Sequence, residues 1–300
     1  MKNESLTRFA WLSILTALIT ISLKSFAYYL TGSVGMLSDA LESLVNLIAA
    51  VMALSMLTLA EKPPDSEHTY GYSKAEYFSS VTEGILIFIA AISIGFTAID
   101  RILHPRVIEQ PFIGLIISVI ASIINFTVAT VLLKTGKRQN SISLEADGHH
   151  LMTDVLTSAG VIIGVTLVAL TNIQILDPIA AILIAVNIVY TGIKIIKEST
   201  LGLMDTSLLS SDLKIIESVL NNYCKNGISY HGLRSRQSAH RRFMSVHILV
   251  PGNWTVHKGH DLLDEIERKI CKAISNITVI THLEPAGDPK SLTDISIDRN

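Results

Sequence analysis

Cysteine is nearly missing from this 300-residue sequence: Cys224 and Cys271 stand far apart and form no Cys-x-x-Cys pair. A thiolate metal cage and a secreted disulfide framework are both excluded. Charge is scarce as well, at 17% of residues against about 25% in an ordinary soluble domain. With 49% hydrophobic residues the chain is too apolar to be such a domain, and a membrane protein is the first expectation. The formal net charge of −2 lacks the basic surplus that nucleic acid binding requires. No small-residue cleavage site follows the apolar stretch that runs to about Leu30, so that stretch reads as a retained span rather than a signal peptide.

What is present is a series of apolar runs, each near the ~20 residues that cross a bilayer. They are Phe9–Leu30, Met36–Leu59, Phe78–Leu103, Phe112–Leu133, Leu151–Leu170 and Pro178–Ile196, separated by polar or turn-like connectors such as "TGSVG" and "KTGKRQNS". Lys2, Arg8, Lys62, Lys74, Lys134, Lys137, Arg138, Lys194 and Lys197 fall on one side of these spans, and mainly Arg101 and Arg106 on the other. Positive charge collects in cytoplasmic loops, so both termini are expected in the cytoplasm.

After the last run the pattern changes. "DLKIIESVLNNYCK" and "HKGHDLLDEIERKICKAI" have helical spacing, while "ISYHGLRSRQS", "RRFMSVHILV" and "ITVITHLEP" read as strands. The expected architecture is a six-helix transmembrane domain over residues 1–200, followed by a cytoplasmic α+β domain over 201–300. In that second domain the order is αββαβ, two helices cover one sheet face, and the end after 286 is flexible.

Polar residues inside the spans point to chemistry. The second run, "SVGMLSDALESLVNLIAA", carries Asp39, Glu42 and Asn46, and the fifth opens on "HHLMTDVLTSAG", with His150 and Asp154. Glu42 and Asn46, like His150 and Asp154, are four apart and so share a helix face. Two such faces in contact make a four-donor site suited to Zn²⁺, and also to Mn²⁺, Fe²⁺ or Co²⁺. Asn46 alone also fits helix–helix hydrogen bonding, Asp39 a cap or an aqueous vestibule, and Asp147 and His149 solvated positions near the membrane surface. Ionisable groups inside spans are functional by default, which favours Glu42, His150 and Asp154 as a site. The His-x-x-x-Asp string occurs in acyl-transfer enzymes too, but no acyl-donor motif accompanies it here.

Together with "SDALESLVN" and "HHLMTDVLTSAGV", the segments "HTYGYSKAE", "HGLRSRQS", "SVH", "GHDLLDEIE" and "THLEP" resemble the cation diffusion facilitator family over about residues 10–285. The resemblance implies a homodimeric, proton-coupled exporter of divalent metals with six spans and a cytoplasmic αββαβ domain of ferredoxin-like, metallochaperone-like fold. It implies a transport site of Glu42, Asn46, His150 and Asp154. Zinc members usually carry Asp or His at the first of these positions and Asp at the second. It further implies a loop site at Asp65 and His68, where Tyr72 stands in place of a second His, and a cytoplasmic metal site at His231, His247, His260, His282 and Glu284. Zn²⁺ is the expected substrate and regulatory ligand, with Fe²⁺, Mn²⁺, Co²⁺ and Cd²⁺ as alternatives. The implied protein is no enzyme but a secondary transporter of the inner or plasma membrane, whose partners are metal ion, protons and lipid. A membrane-anchored metal sensor and an intramembrane metalloenzyme are the rival readings.

Overall fold

The computed structural model describes residues 6–31, 34–104, 112–171, 173 and 175–291. Arg106 and, of the end expected to be flexible after 286, residues 292–300 lie outside those residues. The chain divides into two compact units, Met1–Thr200 and Leu201–Asn300.

The first unit is built from long apolar stretches that satisfy their own backbone groups as helices, the requirement in hydrocarbon. These are α1 (Thr7–Thr31), α2 (Val34–Ala60), α3 (Ala75–Leu103), α4 (Phe112–Gln139), α5 (Ile142–Thr171) and α6 (Leu176–Leu203). Among the described residues, segments of α1, α3, α4 and α6 are long and apolar enough to cross a membrane, and α2 adds the shorter apolar run Asn46–Ala60. Trp11, Phe96, Leu183 and Tyr190 stand exposed, as side chains that face lipid would. Inside, Ala10, Leu57, Leu132 and Leu151 join α1, α2, α4 and α5 in one apolar cluster, while Ile87, Ala146 and Ile188 join α3, α5 and α6 in another.

Helix α5 belongs to both clusters, and local sequence explains how it is held. Asn140, in the left-handed region at φ 53°, turns the chain between α4 and α5. Ser141 then accepts from the Leu144 amide at 3.4 Å, capping α5, and donates to Glu76 at the start of α3. Buried hydroxyls continue the seam: Ser143 Oγ donates to Ser79 Oγ at 3.1 Å, and Ser199 of α6 to Ser80 at 2.7 Å. Small residues and hydroxyls of this kind let helices approach where no hydrophobic effect drives them together. Gly148 is one such close approach on the α4 side. A β-carbon there would lie 2.8 Å from Leu133 Cγ and 3.1 Å from the Leu133 backbone nitrogen.

The second unit follows the expected order: α7 (Ser210–Asn221), β1 (Ser229–Ser238), β2 (Arg241–Pro251), α8 (Val256–Ala273) and β3 (Ile277–Ala286). The sheet order is β1-β2-β3, with β1 antiparallel to β2 and β3 parallel to it. A parallel pair needs a crossover, and α8 supplies it. Thr255 caps α8, its side chain accepting from the Lys258 amide at 3.2 Å. Met244, Val246, Ile248 and Val250 alternate along β2 and meet Ile216 and Leu220 of α7 and Ile266 and Ile270 of α8. Strand periodicity of two therefore sends the odd-numbered residues of β2, His247 among them, to the sheet face away from the helices.

The Gly148 contact has a measurable consequence. Gly148→Ala should lower stability by about 1–3 kcal/mol through overpacking, whereas Gly95→Ala, where among the described residues no atom outside its own helix backbone lies within 4 Å of the new methyl, should be neutral or stabilising. Thermal unfolding of the two variants in detergent compares them; equal melting temperatures would remove the close-approach argument.

Candidate metal centres

Within the first unit, α2, α3, α4 and α5 bring polar side chains to one buried place. His150 Nε2 lies 2.6 Å from Asn46 Oδ1, and Asn46 Nδ2 donates to Asp154 Oδ2. All three side chains are buried. Asn125 of α4 also reaches Asp154 Oδ2, at 3.4 Å, and His150 Nδ1 lies 3.2 Å from Glu83 Oε2 of α3. Three of the four residues expected at the transport site thus converge. Glu42 lies on α2, one turn before Asn46, but its side chain and that of Asp39 fall outside the described residues.

The amide at position 46 uses both of its ends, its oxygen toward the imidazole and its nitrogen toward the carboxylate. A carboxylate there has no hydrogen to offer Asp154 and would repel it. Asn46 therefore pairs with both His150 Nε2 and Asp154 Oδ2 in the buried interior.

Asp147 departs from the expectation of a solvated residue. It is 3% exposed and accepts from Ser13 Oγ of α1 at 3.0 Å. The reason is that α5 starts at Ile142, well before the apolar run at Leu151, so Asp147 sits in a packed second turn. His149 is half-buried. Glu83 and Asn125 were not anticipated from sequence. For Glu83 a signal existed, a lone carboxylate inside an apolar helix; for Asn125 there was only an amide among aliphatic residues.

In the connector between α2 and α3, Asp65 is consumed by protein donors. Its Oδ1 accepts from the amides of Glu67 at 3.0 Å and His68 at 2.7 Å, and its Oδ2 accepts from the Tyr72 hydroxyl at 2.6 Å. The His68 ring rests against Tyr72, with centroids 4.2 Å apart. The Tyr72 hydrogen bond, followed by that from the His68 amide, holds the Asp65 carboxyl below its ordinary value.

In the second unit, cross-strand register aligns three histidines: His231 of β1 opposite His247 of β2, opposite His282 of β3. Glu284, two residues along β3 and so on the same face, is buried beneath them. Its Oε2 is 2.7 Å from His231 Nε2, and its Oε1 is 3.0 Å from His247 Nδ1. Gly232, at φ +61° beside the bulge in β1, lies against the His247 ring. His231, His247 and Glu284 offer ligand atoms within 4.8 Å of one another, a two-imidazole, one-carboxylate set of the kind zinc takes. His282 flanks it, 62% exposed, with Nε2 3.7 Å from Glu284 Oε1. His260 does not join the group: it projects from α8, exposed, 3.8 Å from Asp264 one turn on. Helical spacing pairs His260 with its own helix, while β register assembles the others.

Residues 10–204 match the model of the cation efflux transmembrane domain, and residues 208–286 that of the cation efflux protein cytoplasmic domain. An uncharacterized transporter of Synechocystis sp. is 49% identical over 283 residues, covering 94% of this chain and 91% of that protein. The cation-efflux pump FieF of Cronobacter sakazakii is 26% identical over 280 residues, covering 93% and 92%. Among solved structures, the metal-bound C-terminal domain of the CzcD transporter from Thermotoga maritima is 25% identical. It covers 27% of this chain and 99% of that one, with a TM-score of 0.25.

The connector geometry makes its own prediction. Tyr72→Phe should raise the Asp65 pKa toward its ordinary value, read from the carboxyl carbon in a ¹³C NMR titration. Because the folded value is the lowered one, the stabilisation from this carboxylate is present at neutral pH and is lost as pH falls through that value. An unmoved titration would show that the hydroxyl does not control the carboxylate.

Proposed function

The chain belongs to the cation diffusion facilitator family of cation efflux proteins, integral membrane transporters of metal cations, and from that premise we propose that it exports a divalent ion, zinc first, from the cytoplasm in exchange for protons. The observation that carries the reading is the buried set His150, Asn46 and Asp154, contributed by two helices of the membrane unit. Polar and ionisable groups are expensive in hydrocarbon and persist at substrate and ion pathways.

In this reading the ion enters from the cytoplasmic side and displaces the Asn46 bridge. It takes imidazole nitrogen from His150, carboxylate oxygen from Asp154 and amide oxygen from Asn46, and Glu42 of α2 completes the set. Metal binding needs neutral imidazole and ionised carboxylate, so protons compete for the same atoms and exchange follows from ligand chemistry. Helices that rock about the site then expose it to the far side in turn. A neutral amide in place of a carboxylate weakens the pull on a hard dication, which leaves Fe²⁺, Mn²⁺, Co²⁺ and Cd²⁺ as competitors for the site.

The connector at Asp65 and His68 is a poor metal site, since both Asp65 oxygens already accept from protein donors. The tail set of His231, His247 and Glu284, with His282 at its edge, is the regulatory site: metal held there responds to cytoplasmic excess and is coupled to a homodimer of tails. Both termini lie in the cytoplasm, and the membrane is the inner or plasma membrane.

Flux into proteoliposomes under an opposing pH gradient, run in parallel with Zn²⁺, Mn²⁺, Fe²⁺ and Cd²⁺, tests the transport reading. Asp154→Ala should abolish flux of the transported ion, and undiminished flux of every metal would refute the assigned site. Isothermal titration of the full chain in detergent separates the two centres. His247→Ala should lose a class of bound zinc that Asp154→Ala retains; if both variants bind as wild type does, the tail assignment fails.

A further inference from the structure

Glu83 occupies α3 between Thr82 and Gly84 in a run that is otherwise apolar on its C-terminal side, "EGILIFIAA". Its side chain is 1% exposed, and neither carboxylate oxygen has a hydrogen-bond partner among the described residues. A carboxylate buried so deeply persists only where something compensates it. What faces it is His150: Oε2 lies 3.2 Å from Nδ1, a ring nitrogen that is also without a hydrogen-bond partner. The other ring nitrogen is committed, since Nε2 meets the Asn46 oxygen, an atom that can only accept. The imidazole is thus held between an amide on α2 and a carboxylate on α3.

We propose that Glu83 is a positioning residue of the transport site, holding the Nδ1 edge of His150 so that Nε2 is presented to the ion, and supplying the negative charge that Asn46 does not. The proposal rests on the reading of His150 and Asp154 as ligands. The hydrogen that Nε2 gives toward Asn46 leaves when the ion takes that nitrogen, and the hydrogen between Nδ1 and the Glu83 carboxylate then stays on the ring, so that carboxylate sets ring angle and basicity. Charge points the same way. Of the described side chains joined to His150 directly or through Asn46, Asn46 is neutral and Asp154 supplies one negative charge; beside a dication Glu83 supplies a second. Asp147 accepts from Ser13 through Oδ1, its Oδ2 having no hydrogen-bond partner among the described residues, and Asn125 reaches Asp154. Glu83 also stands on a helix that contributes no residue to the expected four-donor set, so its position cannot be read from the paired spacings of α2 and α5.

Zinc flux by the reconstituted full chain, resolved into half-saturating concentration and maximal rate, tests this role. Glu83→Gln should raise the half-saturating concentration about tenfold, the low end for losing a partner of a metal-binding histidine, with a smaller change in maximal rate, and adding Asn46→Asp should return it to within about threefold of wild type. Asn46→Asp alone is the control: it must lower the half-saturating concentration more in the Glu83→Gln background than in the wild type, and an equal effect in both, or no recovery, overturns the proposal. An unshifted half-saturation in Glu83→Gln overturns it as well. Should that variant fail to reconstitute, Glu83→Asp is held to the same criterion, an intermediate rise supporting the role and none refuting it. His150→Ala and Asp154→Ala separate the two levels of the argument. Wild-type transport by both would refute the site itself, whereas their failure beside an unaltered Glu83→Gln would leave the site standing and remove only Glu83 from it.

Discussion

The amide of Asn46, with its oxygen against His150 and its nitrogen against Asp154, is the contact around which the membrane unit is organised. Buried polar groups in an apolar medium must find partners, at a cost of several kcal/mol when they do not. Here the partners come from different helices, so satisfying them requires α2 and α5 to meet at one rotation and one depth. The hydroxyl seam from Ser79 and Ser80 to Ser143 and Ser199, the Ser141 cap and the close pass at Gly148 serve that placement. All but the Ser80–Ser199 bond, which joins α3 to α6, set how far α5 lies from a neighbour, and α5 carries both His150 and Asp154.

The same contact bears on transport. A site made wholly of carboxylate and imidazole would be strained when empty, because its charges repel. An amide between them relaxes the empty site and lowers its attraction for a dication. In the proposed role Glu83, facing the far edge of the imidazole from α3, offsets that loss. In the proposed role, binding and release are poised by a neutral bridge on one side of the ring and a charged support on the other.

The tail solves a related problem by different geometry. Alternation along β2 sends aliphatic residues to the helices and His247 to the open face, and strand register brings His231 and His282 alongside it. Spacing within "ITVITHLEP" put His282 and Glu284 on one face correctly, and the αββαβ order was legible from periodicity. That His260 stands apart was not legible. Its membership depended on where α8 lies against the sheet, a distance that no local pattern encodes. Asp147 misled for a similar reason, since hydropathy placed the edge of the fifth run at Leu151 whereas capping by Ser141 starts the helix at Ile142.

Sequence by itself determined the long apolar helices, the change to an α+β tail, and the pairing of His150 with Asp154 one turn apart, because these depend on periods of 3.6 and 2 and on the cost of polar groups in lipid. Only the tertiary structure decided which helices share a buried face, that Asn46 bridges rather than merely lines the site, that Tyr72 closes Asp65, and that Glu83 stands behind His150. Those are contacts between residues distant along the chain, and their geometry is set by helix packing, whose distances a one-dimensional pattern does not contain.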